Sequence, residues 1–291
     1  MTQYAQAITD GILGGAVYAL MAAGLTLIFG VLDIINIAQG ILVVLAAYLS
    51  YALSVHLHID LLVGLLITIP TMFALGLFIE WAFMRRLRGR ERTAMSLLVS
   101  YAVAVIIEGS LYQIFGVTQV SLQAWYITSS VHIFGFYLAD IYLIGFGLAV
   151  VSLTAVYFML YRTKFGRSVR ATMQDRTAAR LVGINVDRVS GLTFGIGVAV
   201  TAAGGMVFGA TSVFNADSGY DLISRLLAIV ILGGLGSIGG AMAAALIMVT
   251  GEEIVNIWAP TWSTAVFYAA LVIVLVIRPS GLFGRQAVRA Q

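Results

Sequence analysis

The sequence predicts an all-α, polytopic membrane protein folded as a single transmembrane domain over residues 1–291. Three observations lead there. Apolar residues run continuously through about eight segments of span length, without the alternation of a β-barrel strand. Charged residues make up 10% of the chain and hydrophobic residues 61%, with a mean hydropathy of +1.01, where soluble domains carry about 25% charge. All but one of the 16 basic residues fall in three short clusters. The first holds Arg85, Arg86, Arg88, Arg90 and Arg92. The second holds Arg162, Lys164, Arg167, Arg170, Arg176, Arg180 and Arg188. The third holds Arg278, Arg285 and Arg289. Positive charge beside membrane spans stays on the cytoplasmic side, so the loops 85–92 and 161–189 and the C-terminus are expected in the cytoplasm. That bias accounts for the pI near 9.2 without nucleic acid. Residues 1–9 carry no basic n-region, so a cleaved signal peptide is not expected.

A bilayer core asks for roughly 20 apolar residues per helix. The hydrophobic segments lie at 11–29, 41–55, 61–84, 94–115, 139–160, 190–213, 223–257 and 263–277. Gly11 with Gly15, Gly191 with Gly195, Gly205 with Gly209 and Gly236 with Gly240 each space two small residues for close helix packing in lipid. The first two segments are separated by Gly30, Asp33, Asn36, Gln39 and Gly40, which form either a short cytoplasmic loop or an interruption on a substrate pathway. Two spans between Arg92 and Arg162 put residues 116–138 outside. Three segments lie between Arg188 and Arg278, yet both ends are inside, so one segment must break. Residues 223–257 contain Gly233, Gly234, Gly236, Gly239 and Gly240, and each glycine weakens a helix by roughly 1 kcal/mol. This segment is expected to be a broken or re-entrant helix pair that returns to the outside, its irregular backbone buried in protein or lining a cavity.

The connection 161–189 is the longest basic one. Residues 168–182 have helical character without membrane-grade hydrophobicity. Val169, Met173, Ala179 and Leu181 form an imperfect apolar stripe among Arg167, Arg170, Asp175, Arg176 and Arg180, and Gly183 stands where a helix C-cap favours glycine. Such a helix either docks in a groove of another protein or lies on the anionic inner leaflet.

Three stretches carry a family resemblance. They are GLTLIFGVLDIINIAQG at 24–40, GRSVRATMQDRTAARLVGINVDRV at 166–189, and ILGGLGSIGGAM at 231–242 followed by RPSGLFG at 278–284. In this order and spacing the chain resembles the permease subunits of branched-chain amino acid ABC transporters, over essentially its whole length. The resemblance implies a bacterial inner-membrane importer subunit. Its partners would be a second homologous permease, two cytoplasmic ATPase subunits and a periplasmic binding protein. ATP and Mg would bind the ATPases, with no cofactor in this chain; the chain has no Walker A pattern, and its only lysine is Lys164. The segment 166–189 would couple to the ATPases through Gly166, Arg167, Arg170, Asp175, Ala179, Leu181, Gly183 and Ile184. Asn36, Gln39, Gly40, Gly234, Gly236 and Ser237 are the candidates to line the pathway, with helix–helix hydrogen bonding as the other reading of Asn36 and Gln39. The family commonly has Asn-Phe-Ala-His-Gly where this chain has Asn36-Ile37-Ala38-Gln39-Gly40. Related permeases carry urea, short amides or small carboxylic and aromatic acids, so those solutes stay open beside hydrophobic amino acids.

The remaining polar residues have local readings. Glu108 counts to the outer part of its span and suits an interfacial, inter-subunit or substrate contact. Asp33 is read as a loop or interface residue. Arg225 is expected to pair with Asp217 or Asp221, and Glu252 and Glu253 to edge an outer loop that could meet a binding protein. His56, His58 and His132 do not form a metal-ligand pattern, and the absence of cysteine excludes thiolate sites. No paired carboxylates, HExxH or GxSxG mark a catalytic site. An ATP-independent secondary transporter and a membrane-embedded enzyme are the alternatives of another class.

Overall fold

The computed structural model describes residues 2–87, 92–133 and 136–283. Arg88, Arg90, Gly284, Arg285, Arg289 and the side chain of His132 lie outside the described residues. Eight of the described helices are long and apolar enough to cross a membrane. They are α1 (Thr2–Leu32), α2 (Gln39–Leu57), α3 (Leu61–Ala82), α4 (Arg92–Phe115), α6 (Asp140–Arg162), α9 (Val186–Thr211), α11 (Ile238–Trp258) and α12 (Pro260–Ile277). The shorter helices are α5 (Trp125–Thr128), α7 (Lys164–Gln174), α8 (Arg176–Leu181) and α10 (Ser218–Gly233). The connection 116–138 adds a small antiparallel hairpin of β1 (Ser130–Ile133) and β2 (Phe136–Ala139), so it is more ordered than a plain loop.

Helices α1 and α9 form the centre. Leu20, Ile28 and Leu32 of α1 and Phe194, Val198 and Met206 of α9 are buried. Glycine lets their backbones meet. A Cβ on Gly24 would stand 2.4 Å from the Gly197 carbonyl oxygen. Gly76 brings α3 against Gly195 in the same way, and Gly11 and Gly15 bring α1 against α11. These are the close approaches that small residues permit in lipid. Helices α4, α6 and α12 lie outside this centre and present Ile106, Val151 and Val272 outward.

The segment 223–257 resolves into α10 and α11, joined by a turn at residues 234–237. Gly234 (φ 95°) and Gly236 (φ 82°) adopt the left-handed region in that turn, where side chains are strained. Ser237 caps α11 by accepting from the Gly240 N–H at 3.1 Å. The chain therefore doubles back as expected, but the break is not at mid-depth. Gly236 packs on Gly30 near the end of α1, and the Leu282 N–H donates to the Leu232 carbonyl at 2.7 Å. The short member is α10, because its first turn starts inside the bundle against Gly40. Arg85 and Arg180 both bond Asp187, at 3.3 and 3.4 Å. The described parts of the three basic clusters thus share one end of the bundle, called here the arginine end.

Two charge expectations change. Arg225 forms a bidentate pair with Glu252, at 2.7 and 2.9 Å, rather than with Asp217 or Asp221. Glu252 and Glu253 lie within α11, which continues to Trp258, and do not edge a loop. A guanidinium facing the bundle needs a partner that shares its desolvation, and a forked carboxylate supplies two parallel bonds. An exposed pair one helical turn away offers far less.

Candidate functional site

Residues 33–38 leave α1 at Asp33, a non-glycine residue with φ 53°, and climb back into the bundle beside α4. Thr93 donates to the Asp33 carbonyl at 3.1 Å, and the Ile37 N–H donates to Ser100 Oγ at 3.1 Å. Asn36 and Gln39 are fully buried at the start of α2. Asn36 Nδ2 donates to Gln39 Oε1 at 3.0 Å, which leaves Asn36 Oδ1 and Gln39 Nε2 without a partner. Unsatisfied buried amide atoms cost about 1–3 kcal/mol each, so this break is a polar spot inside an apolar bundle. Gly40 follows directly. A Cβ there would stand 2.1 Å from the Gly219 carbonyl oxygen, so the first turns of α2 and α10 cross in backbone contact.

That crossing exposes an internal repeat. Phe29-Gly30, then Asn36, Gln39 and Gly40, recur at the same spacing as Phe208-Gly209, then Asn215, Ser218 and Gly219. The helix boundaries repeat with the residues: α1 ends at Leu32 and α9 at Thr211, and α2 begins at Gln39 and α10 at Ser218. The Gln39 N–H donates to the Asn36 carbonyl at 3.2 Å, and the Ser218 N–H to the Asn215 carbonyl at 3.2 Å. Helix α1 runs toward the arginine end and α9 away from it, so the two breaks are inverted copies. Asn215 and Ser218 complete their own side-chain network, in which the Ser218 N–H and hydroxyl donate to Asn215 Oδ1 at 3.2 and 3.1 Å. Reading the sequence for spans alone missed Asn215, Ser218 and Gly219; aligning the two Phe-Gly pairs finds them.

The six residues read as pathway candidates fall into two groups. Asn36 and Gln39 lie at the start of α2, where Gly40 meets the first turn of α10. Gly234, Gly236 and Ser237 follow its last turn, at the arginine end. The length of α10, about 24 Å for its 16 residues, separates them.

The connection expected as one helix over 168–182 is two. Asp175 ends α7 and caps α8, accepting from the N–H groups of Thr177 and Ala178 at 2.7 and 3.0 Å. A capping carboxylate offers the chain a helix start that the charge pattern alone does not reveal. Gly183 closes α8 as expected, with φ 84°. Its N–H donates to the Arg180 carbonyl at 3.0 Å and the Ile184 N–H to the Ala179 carbonyl at 3.0 Å, the paired bonds of a Schellman end. Ala179 is buried beneath the tip, while Leu181 and Val182 are 83% and 76% exposed. Gly166 is buried in the first turn of α7, against the Met159 and Leu160 carbonyls of α6. Arg167 is exposed, and the Arg170 guanidinium lies 4.9 Å from the Tyr161 ring centroid.

One residue outside the expected coupling set ties this segment to the bundle. Arg176 Nη1 donates to the Val31 and Leu32 carbonyls at 3.2 and 3.1 Å, and Nη2 to Ser190 Oγ at 3.3 Å. These are orphan carbonyls of the α1 C-terminus, where a cation is favoured. Burial, and then Arg92 and Arg180 alongside, lower the Arg176 pKa to about 10, so it stays charged at neutral pH. Met173 of α7 packs on Gly30. A cavity of about 710 Å³, lined by Glu80, Arg85, Arg92, Arg176, Arg180 and Asp187, opens at this end.

A family model described as the permease component of the branched-chain amino acid transport system matches residues 7–275. The chain is 31% identical over 300 residues to the high-affinity branched-chain amino acid transport permease protein LivH of Salmonella typhimurium, covering 98% of this chain and 97% of that protein. It is 26% identical over 302 residues to BraD of Pseudomonas aeruginosa, a permease protein of the same description, with the same coverage. Half of the chain, 49%, aligns at 29% identity with 33% of the LivM permease protein of Escherichia coli.

Proposed function

From its membership of the branched-chain amino acid transport permease family, we propose that this chain is the membrane-spanning subunit of an ATP-driven importer. The observation that carries the proposal is likeness to transport permeases along nearly its whole length. The chain pairs with a second, related permease, as the partial likeness to LivM suggests. Two ATPase subunits dock at the arginine end, in the cytoplasm, and take up α7 and α8; Leu181 and Val182 are the apolar contacts at the tip. A binding protein delivers a branched-chain or other hydrophobic amino acid on the periplasmic side of the bacterial inner membrane.

Nucleotide-driven closure of the ATPases displaces α7 and α8. Arg176 carries the displacement to the last carbonyls of α1, and Met173 carries it to Gly30 beside the 234–237 turn. Both ends of α10 then respond: one through Gly234, Gly236 and Ser237, the other through Gly40 and the Asn36–Gln39 break. A hydrogen bond to a charged group is worth about 1.5–3 kcal/mol, enough to shift a two-state bundle by a factor of ten or more.

The test is reconstitution. The chain should co-purify with a second permease and two ATPases, and liposomes holding the complex should take up leucine, isoleucine or valine only with ATP and binding protein. Uptake by this chain alone without ATP would sink the proposal and favour a secondary transporter.

A further inference from the structure

We propose that the face shared by α4 and α10 is one wall of a water-filled seam, along which the solute passes beside the second permease subunit. The inference rests on the permease reading and assigns that reading its route.

Tyr101, Glu108 and Tyr112 share one side of α4, at spacings of seven and four residues. Asp217, Tyr220, Asp221 and Ser224 make the matching side at the start of α10. The two stripes are knitted together. The Tyr220 hydroxyl donates to Glu108 Oε2 at 2.5 Å, the Tyr112 hydroxyl faces Asp217, and Tyr101 adjoins Tyr220. Tyr101, Asp217, Tyr220, Asp221 and Ser224 are exposed on the protomer, and Glu108 and Tyr112 are half-buried. Among the described residues the cation nearest in sequence, Arg225, turns inward to Glu252.

Depth makes this polarity informative. Counting along α4 from Arg92, Tyr101 lies about 13 Å and Glu108 about 24 Å from the arginine end. A hydrocarbon core is about 30 Å thick, so Tyr101 and Glu108 sit within it and the Tyr112–Asp217 pair at its outer edge. Ionisable side chains at that depth avoid lipid and face a bundle interior or a water-filled cavity. A dry protein interface would bury three carboxylates without cations, which is costlier still. Water on this face answers both objections. The wall also suits the proposed solute. Phenol rings offer apolar surface to a branched side chain, while hydroxyls and carboxylates offer hydrogen bonds to its polar end.

The chain has no cysteine, so single cysteines report on water directly. In the assembled transporter, Ser224→Cys, Asp221→Cys and Tyr101→Cys would be treated with a charged, hydrophilic thiol reagent. Val151→Cys and Val272→Cys serve as controls. Their native side chains are 67% and 59% exposed on the protomer, against 49% for Tyr101, so bare protomer exposure would favour the controls. Thiolates form in water and not in lipid, so the ribbon cysteines should react roughly tenfold faster. Equal or slower reaction overturns the seam. Ser224→Cys is close to isosteric and keeps the test valid if Tyr101→Cys fails to insert. A silent ribbon in a complex that still imports would reject the seam alone. A reactive ribbon in a chain without ATP-dependent uptake would reject the permease reading and the solute route with it, leaving only a hydrated face.

Discussion

Arg176 illustrates how one side chain joins an external segment to the bundle core. Its guanidinium holds two α1 carbonyls and Ser190 Oγ at once. Arg176→Met should leave ATP hydrolysis by the assembled complex within about twofold while uptake falls at least about tenfold, since losing one charged hydrogen bond already amounts to about 1.5–3 kcal/mol. Arg176→Lys restores one point contact and should recover part of the uptake; equal loss of hydrolysis and uptake in both variants would reduce Arg176 to a folding role. Gly183 makes a second residue-scale case. A Cβ there would meet nothing within 4 Å, so the constraint is φ alone. Gly183→Val should strain the tip by about 1–2 kcal/mol and uncouple hydrolysis from uptake without loss of insertion, whereas Gly183→Asn, which tolerates this region, should couple normally. Paired measurements of uptake and hydrolysis check both. Gly183 was legible in the sequence because a glycine after an amphipathic stretch has a known use. Arg176 was only one charge among many, because nothing in its spacing shows that it reaches carbonyls some 145 positions away.

At the scale of elements, the paired breaks dominate. Helices α2 and α10 both start inside the bundle and cross at Gly40 and Gly219. Gly40→Ala and Gly219→Ala should each destabilise the detergent-solubilised protein by about 1–3 kcal/mol through overpacking, seen as a lower midpoint of thermal unfolding. Gly109→Ala, with open space around it, should not. Equal behaviour of all three would refute the crossing. The span count, the glycine-driven hairpin at 223–257 and the interruption after α1 could be read from hydropathy and glycine content. The second interruption could not, because residues 212–217 lie next to an apolar run and look like an ordinary loop. Only the recurrence of Phe-Gly, Asn and Gly at matched intervals betrays it. The division of the basic connection at Asp175 was likewise hidden, since an aspartate in an amphipathic stretch reads as surface charge until its oxygen is seen on two N–H groups.

For the molecule as a whole, the arginines give the bundle a polarity. Arg85, Arg92, Arg176, Arg180 and Asp187 line one cavity although they come from two separate connections, 85–92 and 161–189. The positive-inside rule predicts that end to be cytoplasmic, and the proposed mechanism requires it, since the proposed ATPases would dock there. The most direct measurement is the accessibility of a Leu181→Cys variant, placed at the exposed tip of α8 in a chain with no other cysteine. A membrane-impermeant thiol reagent should label it in inside-out vesicles and leave it unlabelled in intact right-side-out cells, with protection when the ATPases are bound. Labelling from the outside of intact cells would contradict the orientation and, with it, the coupling route.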